Sequence, residues 1–373
     1  MAIFDGYKPC PDVDHNVIPK TELVRFCIGK MKVLVTTAAF VCAIFAFASM
    51  TQAEVIKLSF ADQNPQTGWG PTHALQAWAK KVESATKGRV EVEIYPSQTL
   101  SKGPDIWNSV KTGLADMGWC VHGYWPDMTP LADVINLPAL PFQTSEKASE
   151  VLWKLYERFP SIQNYFKDVH LLVFYTSDPY FLVTSKKQVK TVEDIKGLKI
   201  RVLGGVATEQ MKALGAIPLL IPMPDNYQAL DKRVIDGMAV SWEAIHSFRL
   251  YEVVKYYAMV PLSSASPLSI PINKQKWDSL PKDIQQAITS VSGLEASRFF
   301  GRNFYDSAQQ GVLERVKEGK HEMVRYDPPA DEIERWRKVS GEPIWREWVQ
   351  RMEKKGYSDA QQILDTALAL FKE

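Results

Sequence analysis

Apolar and polar residues alternate in short runs along this chain, and the runs are separated by segments of helical spacing. Val55-Ile56-Lys57-Leu58-Ser59-Phe60 alternates with period two, as does Arg89–Tyr95, where Val90, Val92 and Ile94 oppose Glu91 and Glu93. Between them, residues 72–86 place Leu75, Trp78, Val82 and Ala85 on one helical face, with Gly88 just beyond. A short helix over 104–112, a buried strand over 115–120, a helix over 145–159 and an apolar strand over 170–175 continue the rhythm. A second set follows: a strand over 180–184, then the unit 191–216, a strand over 217–222, a helix over 225–232, and Ile235-Asp236-Gly237 leading into Met238-Ala239-Val240-Ser241-Trp242-Glu243-Ala244. This βαβα order predicts an α/β protein with a mixed or mostly parallel sheet.

Residues 281–320 carry a different pattern. Ile284, Ile288, Val291, Ala296, Phe300, Phe304, Ala308, Val312 and Val316 recur at helical spacing between Pro281 and Gly319. One continuous helix of this length would run about 60 Å, enough to cross two lobes. Two further helices are expected around 332–354 and 358–371.

The unit 191–216 breaks the pattern at one position. It reads as a short helix, a turn at Gly197, a strand in which Leu198, Ile200 and Val202 alternate with Lys199 and Arg201, the pair Gly204-Gly205, and a second helix ending near Gly215. A strand flanked by helices is covered on both faces. A guanidinium there is costly unless an anion meets it. Arg201 therefore clamps either a ligand carboxylate, in bidentate fashion, or an internal Asp or Glu. The residues alone leave both open.

The start of the chain is not read as fold. Lys32 is followed by an uncharged run from Val33 to Met50 and then Thr51-Gln52-Ala53. A basic start, an apolar stretch and small residues before a cut describe a secretory signal, cleaved after Ala53; a membrane anchor is the competing reading. Met31-Lys32 reads as the natural start. Removing residues 1–53 leaves 39 Lys plus Arg and 39 Asp plus Glu. That neutral balance gives no electrostatic argument for nucleic acid or anionic lipid. Cys10, Cys27 and Cys42 precede the cut, so Cys120 is left without an intrachain partner.

Candidate chemistry is sparse. HExxH, GxSxG, Walker A and GxGxxG patterns are missing. His73, His122, His170, His246 and His321 are scattered without metal-ligand spacing, so neither a metal nor a cofactor is expected. Trp69, Trp119 and Trp242 fall in loops or at strand ends, where an aromatic either lines a cleft or packs in a core.

Five ordered motifs carry a resemblance: Gly88–Leu100 (GRVEVEIYPSQTL), Gly113–Trp119 (GLADMGW), Leu137–Phe142 (LPALPF), Thr191–Gly205 (TVEDIKGLKIRVLGG) and Tyr227–Gly237 (YQALDKRVIDG). Together they resemble the extracytoplasmic solute-binding proteins of TRAP transporters. The resemblance implies two α/β lobes around a ligand cleft, with a long helix spanning both. It implies a periplasmic receptor that captures a small organic acid and delivers it to the small and large subunits of an ion-gradient-driven membrane permease. The lobes are expected over 54–176 plus about 267–303, and over 177–266 plus about 304–373, with hinges near 175–179 and 261–266.

The family's central arginine falls on Arg201, where it pairs with the ligand carboxylate. The sialic-acid-binding branch carries a second arginine where this chain has the neighbourhood of Phe181. That branch also has an asparagine after the Asp-Gly pair, where this chain reads DGMAVSWEA. A bulky or aromatic carboxylate is accordingly expected. Met223 sits where the family places an apolar ring-stacking residue. The expected site is Arg201 as clamp, with Trp69, Trp119, Phe181, Met223 and Trp242 as apolar walls. Glu243 either accepts from a ligand hydroxyl or amine, or orients Arg201. A carboxylate-processing enzyme and a receptor signalling to a membrane sensor are the alternatives.

Overall fold

The computed structural model describes residues 55–373. The signal segment, its cut after Ala53 and the start at Met31 lie outside the described residues. Within those residues no helix is long and apolar enough to cross a membrane.

Twelve strands form two six-stranded sheets, one in each of two lobes. The first sheet holds β1 (Ile56–Ala61), β2 (Val90–Tyr95), β3 (Met117–Gly118), β4 (Cys120–Val121), β5 (Val169–Thr176) and β11 (Pro267–Asn273). Its order is β2-β1-β3-β11-β4, with β5 on β11. β1 runs parallel to β2 and β3, whereas β11 runs antiparallel to β3, β4 and β5. The second sheet holds β6 (Phe181–Thr184), β7 (Lys199–Val202), β8 (Ile217–Leu220), β9 (Gly237–Val240), β10 (Tyr256–Ala258) and β12 (Val324–Tyr326), in the order β12-β10-β6-β9-β7-β8. β7 lies parallel to both neighbours, and Arg201 stands opposite Leu219 and Met238.

The chain passes between sheets over residues 177–180 and again over 259–266. These two crossings run side by side. Ser177 donates its amide to the Ser266 carbonyl (3.0 Å), and Ser266 donates its own amide to the Ser177 hydroxyl (2.9 Å). The amide of Tyr180 reaches the Ser264 carbonyl at 3.3 Å.

Two of the recurring motifs have a local reason. Asp236 accepts the Lys199 amide on its carboxylate (2.8 Å) and returns its own amide to the Lys199 carbonyl (2.9 Å), which ties the start of β9 to β7. Asp116 does the equivalent work in the first lobe, taking the amide and hydroxyl of Ser59 at 2.9 and 3.0 Å. Gly237 follows Asp236 because β9 is hemmed in. A Cβ there would stand 2.2 Å from the Val183 carbonyl oxygen, a backbone atom that cannot step aside.

Three expectations are corrected. Residues 191–197 form hydrogen-bonded turns, not a helix. The Asp194 carboxylate takes the amides of Lys190 and Thr191, both at 3.1 Å, and so competes with the helical pattern. The strand expected over 115–120 is interrupted at Trp119, whose amide donates to Ala61 (2.9 Å). The single helix expected over 281–320 is broken. Lys282–Ser290 stops before Gly293, which adopts a φ of +73°, and the carbonyl of Val291 is satisfied by the indole of Trp78 at 2.9 Å. From Gly293 the helix continues to Glu318 through a π-helical stretch, Gly301–Asp306. That continuous part is roughly 39 Å long and still reaches both lobes.

The C-terminal helices also depart from the expected lobe assignment. Trp336, on Ala330–Ser340, packs with Ile200 and Val202 of the second lobe. Trp348 on Glu342–Lys354 and Ile363 on Ala360–Leu370 join Val151 and Leu152 of the first lobe instead. The single helix expected around 332–354 is split at Gly341, whose φ of −97° and ψ of −110° leave the helical region, into Ala330–Ser340 and Glu342–Lys354.

Gly237→Ala is expected to cost roughly 1–3 kcal/mol, the range for forcing an added methyl into a filled interior. Urea unfolding reads it directly, and an unchanged midpoint would refute the close approach of β9 and β6.

Candidate functional site

Residues from both lobes converge on a cavity of about 40 Å³, enough for a few water molecules at roughly 10–15 Å³ each. Its walls come largely from the ends of strands. Gln63 and Asn64 follow β1, Trp119 sits between β3 and β4, Leu203 follows β7, and Ser241 and Glu243 follow β9. The carboxyl ends of parallel strands are where open α/β sheets place ligands.

Arg201 is 2 % exposed and lines this cavity. Its Nε donates to the carbonyl of Ile221 at 2.9 Å, while its Nη2 has no hydrogen-bond partner. No described carboxylate lies within ion-pair distance of it. Burial pushes the guanidinium pKa down, with Tyr124 and Tyr180 acting against that shift. The internal ion pair left open by the sequence is therefore not what the structure holds among the described residues.

The wall opposite is aromatic and braced. Trp119 stacks on Phe304, with centroids 5.6 Å apart and planes 11° from parallel. Its indole donates to the Tyr175 hydroxyl. Met223 lines the cavity and donates its amide to the Tyr124 hydroxyl (2.9 Å), which in turn donates to Gln63 Oε1 (3.0 Å). Asn226 fixes the preceding loop by donating to the carbonyls of Pro222 and Met223 at 2.9 and 3.1 Å.

Glu243 is also buried in the wall. It accepts from the Gly70 amide (3.3 Å) and from the Ser247 hydroxyl. Burial raises its pKa to about 7, helped by the nearby Asp62, while the hydrogen bonds from Ser247 and Gly70 pull the other way. Asp62 is likewise raised to about 7 by burial, against hydrogen bonds from Asn64 and Gln63. Glu243 makes no ion pair with Arg201, so it does not orient that residue.

Of the seven residues expected from sequence, the structure brings Arg201, Trp119, Met223 and Glu243 together at the cavity. It places three elsewhere. Phe181 and Trp242 pack against each other at a tilt of 34° with centroids 4.3 Å apart, and Trp242 also meets Tyr257 at 5.4 Å, inside the second lobe's core. Trp69 stacks on His73 at 3.9 Å and packs against the second lobe. Sequence reasoning passed over Tyr124, Tyr180, Leu203, Phe248 and Tyr305, which also line the cavity. Gln63 and Asn64 were legible in principle, because they directly follow the first parallel strand.

Other polar groups are structural. His122 is buried between the hydroxyls of Thr129 (2.9 Å) and Ser269 (2.8 Å), and burial lowers its pKa to about 3. Cys120 is buried, and burial pushes its thiol pKa up. Among the described residues no group of three or more His, Cys, Asp or Glu is arranged to hold a metal ion.

The two-lobed fold matches a known class. The family described as bacterial extracellular solute-binding protein, family 7 (DctP), matches residues 64–351, and the chain belongs to it. A TRAP solute-binding protein from Rhodoferax ferrireducens T118, solved with copurified benzoate, superimposes with a TM-score of 0.79 at 27 % identity, covering 85 % of this chain and 98 % of that one. A TRAP periplasmic solute-binding protein from Bordetella bronchiseptica with bound (R)- and (S)-mandelate gives a TM-score of 0.77, also at 27 % identity, covering 85 % and 99 %. The 2,3-diketo-L-gulonate-binding periplasmic protein of Escherichia coli (strain K12) is 26 % identical over 292 residues, 78 % of this chain and 87 % of its own length. The protein is a TRAP-type extracytoplasmic solute receptor.

The raised pKa of Glu243 has a definite sign. Between its ordinary value of 4.5 and about 7 the folded state holds a proton that the unfolded state has lost. The Glu243 contribution to stability therefore falls as pH rises through that window and is constant above it. Urea unfolding at about pH 5 and about pH 8 should show a loss with rising pH that Glu243→Gln reduces by roughly 2–3 kcal/mol. An identical pH dependence in the two proteins would mean that Glu243 ionises freely.

Proposed function

We propose that this receptor captures a small aromatic monocarboxylate and hands it, chemically unchanged, to the small and large subunits of a TRAP permease. The observation that carries this reading is the buried Arg201, with Nη2 unsatisfied at the cavity and no carboxylate among the described residues to meet it. A ligand carboxylate supplies both the charge and the acceptor atoms that the site lacks. Once the walls move apart to make room, the ring of such an acid lies against Trp119, Met223, Leu203 and Phe248. The benzoate and mandelate found in two structural relatives support the same ligand class.

A cavity of about 40 Å³ is too confined to admit an aromatic acid from solvent without movement of its walls. The lobes therefore separate to load and close to hold, the motion being absorbed near residues 175–179 and 261–266. The receptor works in the periplasm after export and cleavage following Ala53. The permease subunits read the closed form.

Arg201→Met keeps side-chain bulk and removes the charge. Affinity for benzoate, measured by calorimetry, is expected to fall by roughly 2–5 kcal/mol, the cost of stripping one partner from a buried charge pair. The ligand-free variant should unfold no earlier than the wild type, because it loses an unpaired buried cation. Unchanged affinity would sink the clamp, and a marked loss of ligand-free stability would return Arg201 to a structural role.

A further inference from the structure

We infer that Trp69 is a positioning residue that latches the closed receptor from outside the ligand cavity. The residue belongs to the first lobe by chain, since it follows β1 and precedes the π-helical turn Pro71–Leu75. Its ring nevertheless packs on the second lobe's core, with an edge contact to His246 at 5.3 Å. The indole Nε1 donates to the Ser307 hydroxyl at 2.9 Å, at the junction where the π-helical stretch meets Ala308–Glu318. Gly311 lies directly beneath the ring, where a Cβ would come within 2.2 Å of Trp69 Cζ3. The seat for this indole is thus cut into the second lobe.

The latch is wired to the ligand site. Trp69 donates its amide to the Ser247 hydroxyl (2.9 Å), and that hydroxyl donates to Glu243, which also accepts the amide of Gly70 (3.3 Å). Glu243 lines the cavity. Two consecutive amides of the first lobe are therefore held by one short helix of the second, Trp242–Ser247, whose first turn faces the ligand. Separation of the lobes breaks all of these contacts at once, whereas closure restores them without involving any ligand atom. A contact made only in the closed state stabilises that state by its full differential free energy.

This inference rests on the reading of the protein as a receptor that opens and closes, and the test separates the two. Spin labels at Lys102→Cys and Lys212→Cys, both exposed and one on each lobe, report the distance between lobes by pulsed electron paramagnetic resonance. The native Cys120 is buried and does not compete for label. In ligand-free protein, Trp69→Ala is expected to lower the closed-to-open ratio by about tenfold or more, as truncating a central aromatic anchor does at an interface. Trp69→Phe, which retains the ring stack and loses the bond to Ser307, should restore part of it. An unchanged ratio in Trp69→Ala, or a ligand-free wild type with no closed population, overturns the latch. Benzoate titrated into the wild type is the separate check on the receptor reading, and its failure to bind would not alter the ligand-free comparison.

Discussion

The structure depends on a cation, Arg201, that has been taken out of water and has no partner of opposite sign among the described residues. Desolvating a guanidinium costs several kcal/mol, and folded chains ordinarily offset it with a carboxylate. Here only the Ile221 carbonyl meets Arg201, leaving one terminal nitrogen free. Much of the surrounding geometry follows. β7 lies between two parallel neighbours, β8 and β9, which fixes the backbone, and the loop that receives Nε is fixed by Asn226. The charge is held at the cleft, with Nη2 unpartnered among the described residues.

The rest of the cleft is arranged so that no described carboxyl meets that charge. Glu243 lines the cavity with Asp62 close enough to act on it, and burial raises the pKa of both to about 7. Their hydrogen bonds go to Asn64 in one case, and to Gly70 and Ser247 in the other. Acids committed to bracing the walls do not compete with a ligand for Arg201. The same bracing connects the site to the meeting of the lobes, since Gly70 and Ser247 belong to opposite sides. On the other flank Gly205 lets Asp133 of the first lobe approach, where a Cβ would lie 2.3 Å from its Oδ2.

The sequence was most informative where a local rule operates. The alternation around Arg201 gave its strand, and the Asp-Gly and Ala-Asp motifs proved to be stitches between neighbouring strands. The helix from Gly293 was visible as periodicity, but its break was not, because the cause is tertiary: Gly293 turns and Trp78 reaches over to satisfy Val291. The site residues divided in the same way. Trp119 was legible because it lies at a strand end beside the cleft, whereas Met223 came from the family resemblance alone. Phe181 and Trp242 also lie at strand ends, yet they face each other across β6 and β9. A period of two states which residues share a face, not whether that face meets a cleft or a core. Trp69 was expected as a cleft wall, but its ring packs on the second lobe beside His73 and does not line the cavity.

The central claim is that the chain leaves a buried positive charge for its cargo to neutralise. The most direct measurement compares benzoate with benzamide by calorimetry. The two have nearly the same shape and the same ring, but only one carries a charge at neutral pH. A cleft built on an unpaired guanidinium should bind benzoate at least about a hundredfold more tightly, since losing a buried charge pair is worth several kcal/mol. Equal affinities would contradict the account, because recognition would then rest on the aromatic wall alone.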